Sequence, residues 1–392
     1  MSTSVPLVLP ARLPVHKDKP QQRGRTLLKI VIAVTAVVGV IGAVAISASA
    51  GNAAGAGLSF LFAFIPLPFL WAAYWWLDRY EPEPLRYKLG AFVWGGVVAV
   101  ALALTAQILV QHIFDLSDEH MATWIAPITE EPAKCALLLL TFTRMRHVID
   151  GVIDGLVYAG IVGIGFAFVE NIGYYAASYL GTPDIKIAGA EGATATFVVR
   201  GIFSPFAHPL FTSAFGIALG LAVARKTKWS KLAVGTLGLA VSIALHGSWN
   251  GSLSYGGTTG FLLIYLALGA VFFGLAITAI VVRVHQVRTL EQSLGRAAQR
   301  AWIHPDEVPY LSRFNHRKAA RDYARQHHGK RAAKVVKSYQ RLATEMAFLQ
   351  DAVLTGRHKP HGVERTYNLL DSMHALRPFL RFPPPLSHHR AR

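Results

Sequence analysis

The sequence predicts an all-α polytopic membrane protein with about eight transmembrane helices and a small helical cytosolic C-terminal extension. Of its 392 residues, 53% are hydrophobic and only 16% are charged, whereas soluble domains carry about 25% charged residues. The apolar residues form runs long enough to cross a bilayer, and the basic residues concentrate between the runs and at both ends. The one cysteine, Cys135, permits no intramolecular disulfide, so packing must hold the fold together.

Each predicted span is justified by its length. A helix rises 1.5 Å per residue, so about 20 apolar residues cross a hydrocarbon core roughly 30 Å thick. Eight runs meet this requirement, and they cover residues 27–49, 57–77, 89–114, 121–143, 152–179, 195–224, 232–255 and 260–284. The third, fifth and sixth are long enough to tilt or to extend beyond the bilayer.

The charges of the connecting loops predict the topology. The N-terminal tail is basic, and the loops that alternate to its side are "DRYEPEPLRYK", "RMRHVIDG" and "RKTKWSK". The loops on the opposite side are "GNAAGA", "DLSDEHMAT", "GTPDIKIAGAEGATA" and "GGTTG", which together contain one lysine. Because cytoplasmic loops carry an excess of Lys and Arg, both termini are expected in the cytoplasm.

Three regions follow from this pattern: a basic tail (1–26), a membrane domain (27–284) and a basic extension (285–392). In the extension, "RTLEQSLGRAAQRAW" and "AAKVVKSYQRLATEMAFLQDAVL" have apolar residues at helical spacing, which predicts amphipathic helices. The net charge of +17 is attributed to topology and to attraction for anionic lipid headgroups. No nucleic-acid partner is expected, because no recognised binding motif is present.

Ionisable residues inside the predicted spans indicate a functional site, because each costs roughly 3 kcal/mol to insert into the bilayer. The segment "ITEEPAKCALLLL" alone contains two glutamates and a lysine. The candidates on the fourth to seventh spans are Glu130, Glu131, Lys134, Glu170, Arg200, His208, His246 and Asn250. Counted from the outer ends of their helices, Glu130, Glu170 and His246 lie roughly 14 Å deep and His208 about 20 Å deep. Four helices therefore bring polar groups to a similar level, which predicts one shared site.

Local spacing supports this site. Lys134 stands four residues after Glu130 and three after Glu131, so either carboxylate can reach the ammonium group. Adjacent glutamates diverge by about 100° around a helix, so only one can point fully into the site. Pro132 is predicted to kink the helix at the glutamate pair.

Two further patterns predict how the helices pack. Pro205 and Pro209 bracket His208 and should distort that helix, which would free backbone carbonyls beside a cavity. The small residues of "GIVGIG" in the fifth span predict close helix packing.

Two carboxylates and two imidazoles in an apolar cavity suit hydrolysis. A carboxylate can take a proton from water, while an imidazole or the amide of Asn250 can donate to a developing oxyanion. Alternatively, Glu131, His208 and His246 could hold a zinc ion with an open position for water. The H-E-x-x-H metalloprotease motif is missing. The residues leave both alternatives open, with a slight preference for glutamate chemistry without a metal.

The motifs "EEPAK", "FAFVEN", a histidine in the next span and "HGSWN" together resemble the PrsW family of intramembrane proteases. That family belongs to a wider group with the type II CAAX prenyl endopeptidases and bacteriocin-processing proteins. The resemblance covers roughly residues 60 to 285. It implies a multi-pass protease of the bacterial plasma membrane that makes site-1 cuts in single-pass proteins near the outer face. Anti-sigma factors are substrates of some family members.

The resemblance also implies roles for the candidate residues. We expect Glu130 to act as general base and His208 to help position the attacking water. Glu131 and Lys134 are expected to orient the base. His246 and Asn250 are expected to face the carbonyl oxygen of the substrate, and Glu170 to complete the polar pocket.

Two other functions fit intramembrane carboxylates and imidazoles. One is a proton-coupled transporter, although the chain shows no internal inverted repeat and its polar residues form one level instead of a path. The other is an inactive scaffold that binds membrane partners through the same cavity.

Overall fold

The computed structural model describes residues 52–80, 82–145, 148–149, 151–181, 187–355 and 362–384. The predicted first span and the basic tail before it lie outside these residues. Within them the chain is helical and has no strand. They divide into two compact units, one that ends at Ala279 and one that begins at Ile280.

The membrane unit is built from helices connected by short turns. In chain order they are α1 (Ala53–Phe64), α2 (Leu67–Leu77), α3 (Leu85–Val93), α4 (Val100–Phe114), α5 (Ala126–Arg144), α6 (Val152–Leu180), α7 (Gly189–Phe197), α8 (Ala207–Val223), α9 (Lys228–Ser254) and α10 (Gly257–Gln299). Helix α10 continues from this unit into the second.

Six helical segments in the described part of the chain are long and apolar enough to cross a membrane: α1 with α2, α3 with α4, α6, α7 with α8, α9 and α10. Helix α5, which corresponds to the predicted fourth span, is not among the six. It is a regular helix, but Glu130, Glu131 and Lys134 interrupt its apolar sequence. The all-α polytopic class is therefore confirmed, whereas the count of eight spans is not.

Helix α6 lies at the centre of the membrane unit and packs along α8, α1 and α3. Its glycines permit this contact. A Cβ atom on Gly163 would lie 2.7 Å from the backbone nitrogen of Pro209, and one on Gly165 would lie 2.1 Å from the carbonyl oxygen of Phe92. The close packing predicted from "GIVGIG" is confirmed, and it presses the His208 backbone directly against α6.

Three π-helical stretches interrupt the helices that surround the candidate site: Trp94–Ala99, Met121–Ile125 and Val198–Phe203. Such stretches are rare and often occur at functional sites. The distortion predicted around Pro205 is confirmed, because the chain leaves the helical path at residues 204–206 before α8 begins. Helix α5 continues through Pro132, so the predicted distortion at the glutamate pair does not interrupt the helix.

The second unit contains the end of α10 and three further helices, α11 (Val308–Ser312), α12 (Phe314–Leu354) and α13 (Gly362–Leu376). Gly329 breaks α12 with a φ of 84°, which favours glycine. The two segments of the C-terminal extension that were predicted to be amphipathic helices lie in α10, which covers the first as far as Gln299, and in α12. The unit has its own buried core, which includes Leu294, Tyr339 and Met373.

Candidate active site

Helix α5 carries the centre of the polar cluster. Glu130, Glu131 and Lys134 are 5%, 0% and 0% exposed, although all three are ionisable. Buried charges persist only when other groups pair with them and satisfy their hydrogen bonds. The surrounding helices must therefore supply partners.

Lys134 joins three side chains. Its Nζ donates to Glu131 Oε1 at 2.8 Å and to Glu130 Oε2 at 3.3 Å, as the spacing on the helix predicted. It also lies 3.0 Å from His208 Nδ1 on α8 and 3.7 Å from the centre of the Phe166 ring. An ammonium group has three N–H donors, and each one has an acceptor here.

Glu131 is fixed by four side chains. Its Oε1 accepts from Lys134 and lies 2.9 Å from His246 Nδ1. Its Oε2 accepts from the hydroxyl of Thr212 at 3.1 Å and lies 2.8 Å from Ser242 Oγ, whose single hydrogen can go to this oxygen or to the Phe211 carbonyl at 2.7 Å. A carboxylate with this many donors is held in one orientation. Glu131 therefore positions its neighbours.

Glu130 is held more loosely than Glu131. Besides Lys134, its partners are Gln107 Nε2 on α4 at 3.3 Å and His246 Nε2 at 3.8 Å. These distances are long for hydrogen bonds to a charged group. Of the two adjacent glutamates, Glu130 is thus the one with spare acceptor capacity.

The hydrogen bonds orient both histidine rings. Because Lys134 can only donate, His208 Nδ1 is an acceptor, and its Nε2 donates to Glu170 Oε2 at 2.7 Å. Glu131 can only accept, so His246 Nδ1 donates to it, and Nε2 of the same ring lies 3.8 Å from Glu130 Oε2. The two rings lie 5.1 Å apart between centres.

Glu170 forms the edge of the cluster. Its carboxylate accepts from Arg200 at 2.5 Å, and the guanidinium lies 3.8 Å from the centre of the Tyr174 ring. The Arg200 Nε also donates to Asn171 at 2.6 Å. The side chains of Glu170 and Arg200 are 19% and 15% exposed, so the cluster reaches the surface of the bundle at this ion pair.

Asn250 differs from the other predicted residues. Its amide Nδ2 donates to the carbonyl of Ala122, in the π-helical stretch before α5, at 2.8 Å. No side-chain hydrogen bond joins Asn250 to the cluster among the described residues. The structure therefore brings together Glu130, Glu131, Lys134, Glu170, His208 and His246, and leaves Asn250 to one side.

Three of these groups could hold a metal ion. One ligand atom from each of Glu130, His208 and His246 lies within 4.8 Å of the other two. One carboxylate and two imidazoles form a donor set that suits zinc. The set predicted from sequence contained Glu131 in place of Glu130 and stays a prediction, whereas the carboxylate whose oxygen lies near both histidines in this grouping is that of Glu130. The reason is physical: both oxygens of Glu131 already accept hydrogen bonds, from Lys134 and from Thr212.

Sequence reasoning missed three polar residues at the site. Gln107, Thr212 and Ser242 contact the glutamates, but each is a single uncharged residue in an apolar span. Hydroxyl groups in such spans commonly bond to their own helix backbone. Their position opposite Glu130 and Glu131 becomes visible only when α4, α8 and α9 pack against α5.

The chain resembles known bacterial proteases in sequence. A sequence model of the PrsW family intramembrane metalloproteases matches residues 83–281. Protease PrsW of Clostridioides difficile is 25% identical over 193 residues, which cover 48% of this chain and 76% of the relative. Protease PrsW of Bacillus subtilis is 27% identical over 177 residues, 44% of this chain and 72% of the relative.

Protease PrsW of Geobacillus kaustophilus is 28% identical over 145 residues, which cover 37% of this chain and 58% of the relative. No solved structure matches the chain. The family match covers just over half of the chain and includes every residue of the polar cluster. The chain therefore belongs to the PrsW family of intramembrane metalloproteases and is a membrane-embedded peptidase.

Proposed function

We propose that this peptidase makes site-1 cuts in single-pass proteins of the bacterial plasma membrane, close to the outer face, with Glu130 as general base. The observation that carries the proposal is the convergence of Glu130, His208 and His246 in one buried cluster. The basic loops support an orientation with both termini in the cytoplasm. An anti-sigma factor is the proposed kind of substrate, and anionic lipid headgroups are proposed partners of the basic C-terminal extension.

The base and its support have separate roles in this proposal. Glu130 accepts the proton of the attacking water, because its carboxylate is less tightly held than that of Glu131. Glu131 holds the His246 ring with Nδ1–H donated and Nε2 facing Glu130. Lys134 balances the charge of both carboxylates. Its Nζ also donates to Nδ1 of His208 and thereby fixes the orientation of that ring. These contacts set the orientation of the reactive groups before substrate arrives.

Glu130, His208 and His246 would be the protein ligands of a zinc ion, and His208 would have to give up its contact with Lys134 or with Glu170 to offer a lone pair. When bound, zinc supplies Lewis-acid polarisation of the scissile carbonyl. Glu131 then serves as the carboxylate that orients a histidine ligand through its second nitrogen, an arrangement common in metal sites. In this alternative Glu130 is a ligand, so its role as general base applies only to chemistry without a metal. The family description favours the metal.

The carbonyl oxygen of the substrate needs a hydrogen-bond donor. The predicted donors are already engaged, His246 Nδ1–H with Glu131 and Asn250 with Ala122. The amide of Gln107 also has partners, Thr129 at 3.2 Å and Glu130 at 3.3 Å, but both contacts are long and the side chain is only half-buried, so it can turn to a substrate. We assign Gln107 to this oxygen.

The proposed substrate has to expose an extended peptide bond. In a transmembrane helix the backbone amides are protected by their own hydrogen bonds. The polar cluster can receive an unwound segment at the ion pair of Glu170 and Arg200, where the cluster reaches the surface. A cut at this level frees the outer part of a single-pass protein.

The test uses purified full-length protein in liposomes with a single-pass model substrate. We expect cleavage by the wild type, and we expect it to be lost in Glu130→Gln. Glu119→Gln is the matched control, because Glu119 is an exposed carboxylate on the turn that leads into α5. A pH-sensitive dye inside the liposomes reports proton movement. Proton flux without cleavage would replace the proposal with a transporter.

Metal dependence is tested in the same liposomes. A chelator that enters the bilayer should stop cleavage, and zinc should restore it. Cleavage that persists through long incubation with the chelator would favour glutamate chemistry without a metal.

A further inference from the structure

A cavity lies nearer the C-terminal end of α5 than the glutamates do. It has a volume of about 160 Å³ and lies between the helix that contains Trp94 and the C-terminal half of α5. Its lining is mostly apolar and includes Ala91, Val98, Leu137 and Leu140. Leu140 is 49% exposed although it lies within the apolar run of α5. The cavity is thus an opening towards the hydrocarbon, of a kind that suits a lipid chain.

A cation stands at one end of the cavity. Arg86 lines it and is exposed, and its guanidinium lies 4.8 Å from the centre of the Tyr87 ring. No carboxylate pairs with Arg86 among the described residues. Two acidic side chains of the preceding turn have other partners, since Asp78 pairs with Lys88 and Glu83 accepts from Tyr158. Within the part of the chain that the structure describes, the guanidinium of Arg86 contacts the ring and the hydroxyl of Tyr87, which leaves N–H donors for a ligand.

A second cation lies near the opposite wall. Arg144 is exposed in the last turn of α5, directly before Met145, which lines the cavity. Lys and Arg near a membrane surface each attract anionic lipid by about 1 kcal/mol. A guanidinium group also matches a phosphate geometrically, because it donates two parallel hydrogen bonds.

We propose that this cavity binds an anionic phospholipid, with one acyl chain against the apolar lining and the phosphate on Arg86. Inorganic phosphate could satisfy the guanidinium but would leave the apolar walls without a partner. A zwitterionic lipid could fill the walls, but its own cation would oppose Arg86 and Arg144. The combination of apolar lining and unpaired cation favours the anionic lipid.

The cavity also connects to the catalytic helix. Trp94 lines the cavity, and its indole N–H donates to the carbonyl of Ala133 at 3.0 Å. Ala133 is the residue directly before Lys134. A lipid that packs against Trp94 therefore supports the part of α5 that carries the glutamates. The binding itself does not depend on the proposed function.

The test measures quenching of Trp94 fluorescence by lipids with brominated acyl chains in liposomes of the full-length protein. The difference between wild type and Trp94→Phe isolates the signal of this residue. At equal mole fraction, we expect brominated phosphatidylglycerol to quench this signal more strongly than brominated phosphatidylcholine. In Arg86→Gln the preference should fall about fivefold, the effect of losing one cation at the surface. Arg225→Gln is the control, because Arg225 is an exposed cation in the loop after α8.

A second measurement covers the case in which Trp94→Phe disturbs folding. Native mass spectrometry counts phosphatidylglycerol retained by the wild type and by Val98→Phe, which fills the cavity. Leu104→Phe, at a lipid-facing position of α4, is its control. We expect Val98→Phe to lose the retained lipid and Leu104→Phe to keep it.

Three results would overturn the proposal. One is equal quenching by the two brominated lipids. Another is an equal loss of preference in Arg86→Gln and Arg225→Gln, which would indicate diffuse surface charge. The third is full displacement of the lipid by soluble glycerol phosphate, which would indicate a phosphate site only. No substrate is present in these measurements, so they are independent of whether Glu130 cleaves peptides.

Discussion

His246 Nδ1 lies 2.9 Å from Glu131 Oε1, although 115 residues separate them in the sequence. This contact joins α9 to α5 inside the membrane unit. It orients the imidazole ring, so that Nε2 lies 3.8 Å from Glu130 Oε2. The pair explains why two adjacent glutamates are present: Glu131 orients the imidazole, and Glu130 stays free for chemistry.

The hydroxyl donors to Glu131 should matter for activity. Ser242→Ala removes a buried hydrogen bond to a charged group, and such bonds contribute about 1.5–3 kcal/mol. We expect kcat/KM for the model substrate to fall by about tenfold or more, since 1.4 kcal/mol corresponds to a factor of ten. Steady-state cleavage in liposomes measures the effect.

Ser248→Ala is the control for this variant, because Ser248 is an exposed serine of the same helix that bonds only to the Ala244 carbonyl. Thr212→Val, which removes the other hydroxyl donor, should act in the same direction as Ser242→Ala. Wild-type activity in both variants would show that Glu131 needs neither hydroxyl.

Gly163→Ala should separate α6 from α8. The added Cβ would lie 2.7 Å from Pro209 and 2.8 Å from the carbonyl carbon of His208, both backbone atoms. Overpacking of this kind costs about 1–3 kcal/mol, and the shift of His208 should also reduce cleavage. Thermal unfolding and cleavage measure the two effects. Gly235→Ala on α9, where nothing lies within 4 Å, should change neither.

Lys134→Met should destabilise the whole membrane unit. The substitution leaves Glu130 and Glu131 buried without their ammonium partner. Breaking a buried ion pair from one side costs about 3–5 kcal/mol. The midpoint of unfolding in denaturant should fall, while Lys228→Met, an exposed change at the start of α9, should leave it unchanged. An unaltered midpoint in Lys134→Met would contradict the role given to this lysine.

Zinc affinity should distinguish ligands from the residue that orients them. Glu130→Gln or His246→Ala removes a ligand and should abolish binding at this site. Glu131→Gln keeps all three ligands but weakens the orientation of His246, so affinity should fall about 10–100-fold. Competition with a zinc-sensitive dye measures binding without substrate. Equal losses in Glu130→Gln and Glu131→Gln would contradict the assignment.

Gln107→Leu should lower kcat with little effect on folding. Gln107 is half-buried and donates to Thr129 and Glu130, and loss of one oxyanion donor reduces kcat by about 10²–10³-fold in hydrolases. The lipid-facing Thr105→Leu on the same helix is the control, because Thr105 bonds only to its own helix backbone. A rise in KM with kcat unchanged would indicate that Gln107 contacts substrate elsewhere.

The spans could be predicted because hydrophobic length has a direct physical cause. Helix α6 begins at Val152 and ends at Leu180, within one residue of the predicted bounds. The last helix was predicted to end at residue 284 and continues to Gln299. Hydropathy reports where a helix leaves the hydrocarbon, whereas the helix itself ends only where its backbone hydrogen bonds stop.

The site could be predicted in part for a similar reason. Charged groups inside a span need partners, so Glu130 and His208 could be expected near one another. Which glutamate has spare capacity could not be predicted, because Thr212 and Ser242 give no signal before α8 and α9 pack on α5. The position of Asn250 also depends on packing, since its partner is the backbone carbonyl of Ala122 in a π-helical stretch.

Arg200 lies in the π-helical stretch Val198–Phe203, and the backbone of this stretch sets the direction in which its side chain points. A π-turn contains about one residue more than an α-turn, so removal of a single residue there would restore a regular α-helix while its two ends keep their relative orientation. Only side chains within the stretch would turn to new directions, and the guanidinium of Arg200 would lose its contact with Glu170. A one-residue deletion is therefore expected to break the ion pair at the edge of the cluster while every acidic and imidazole side chain stays in the sequence.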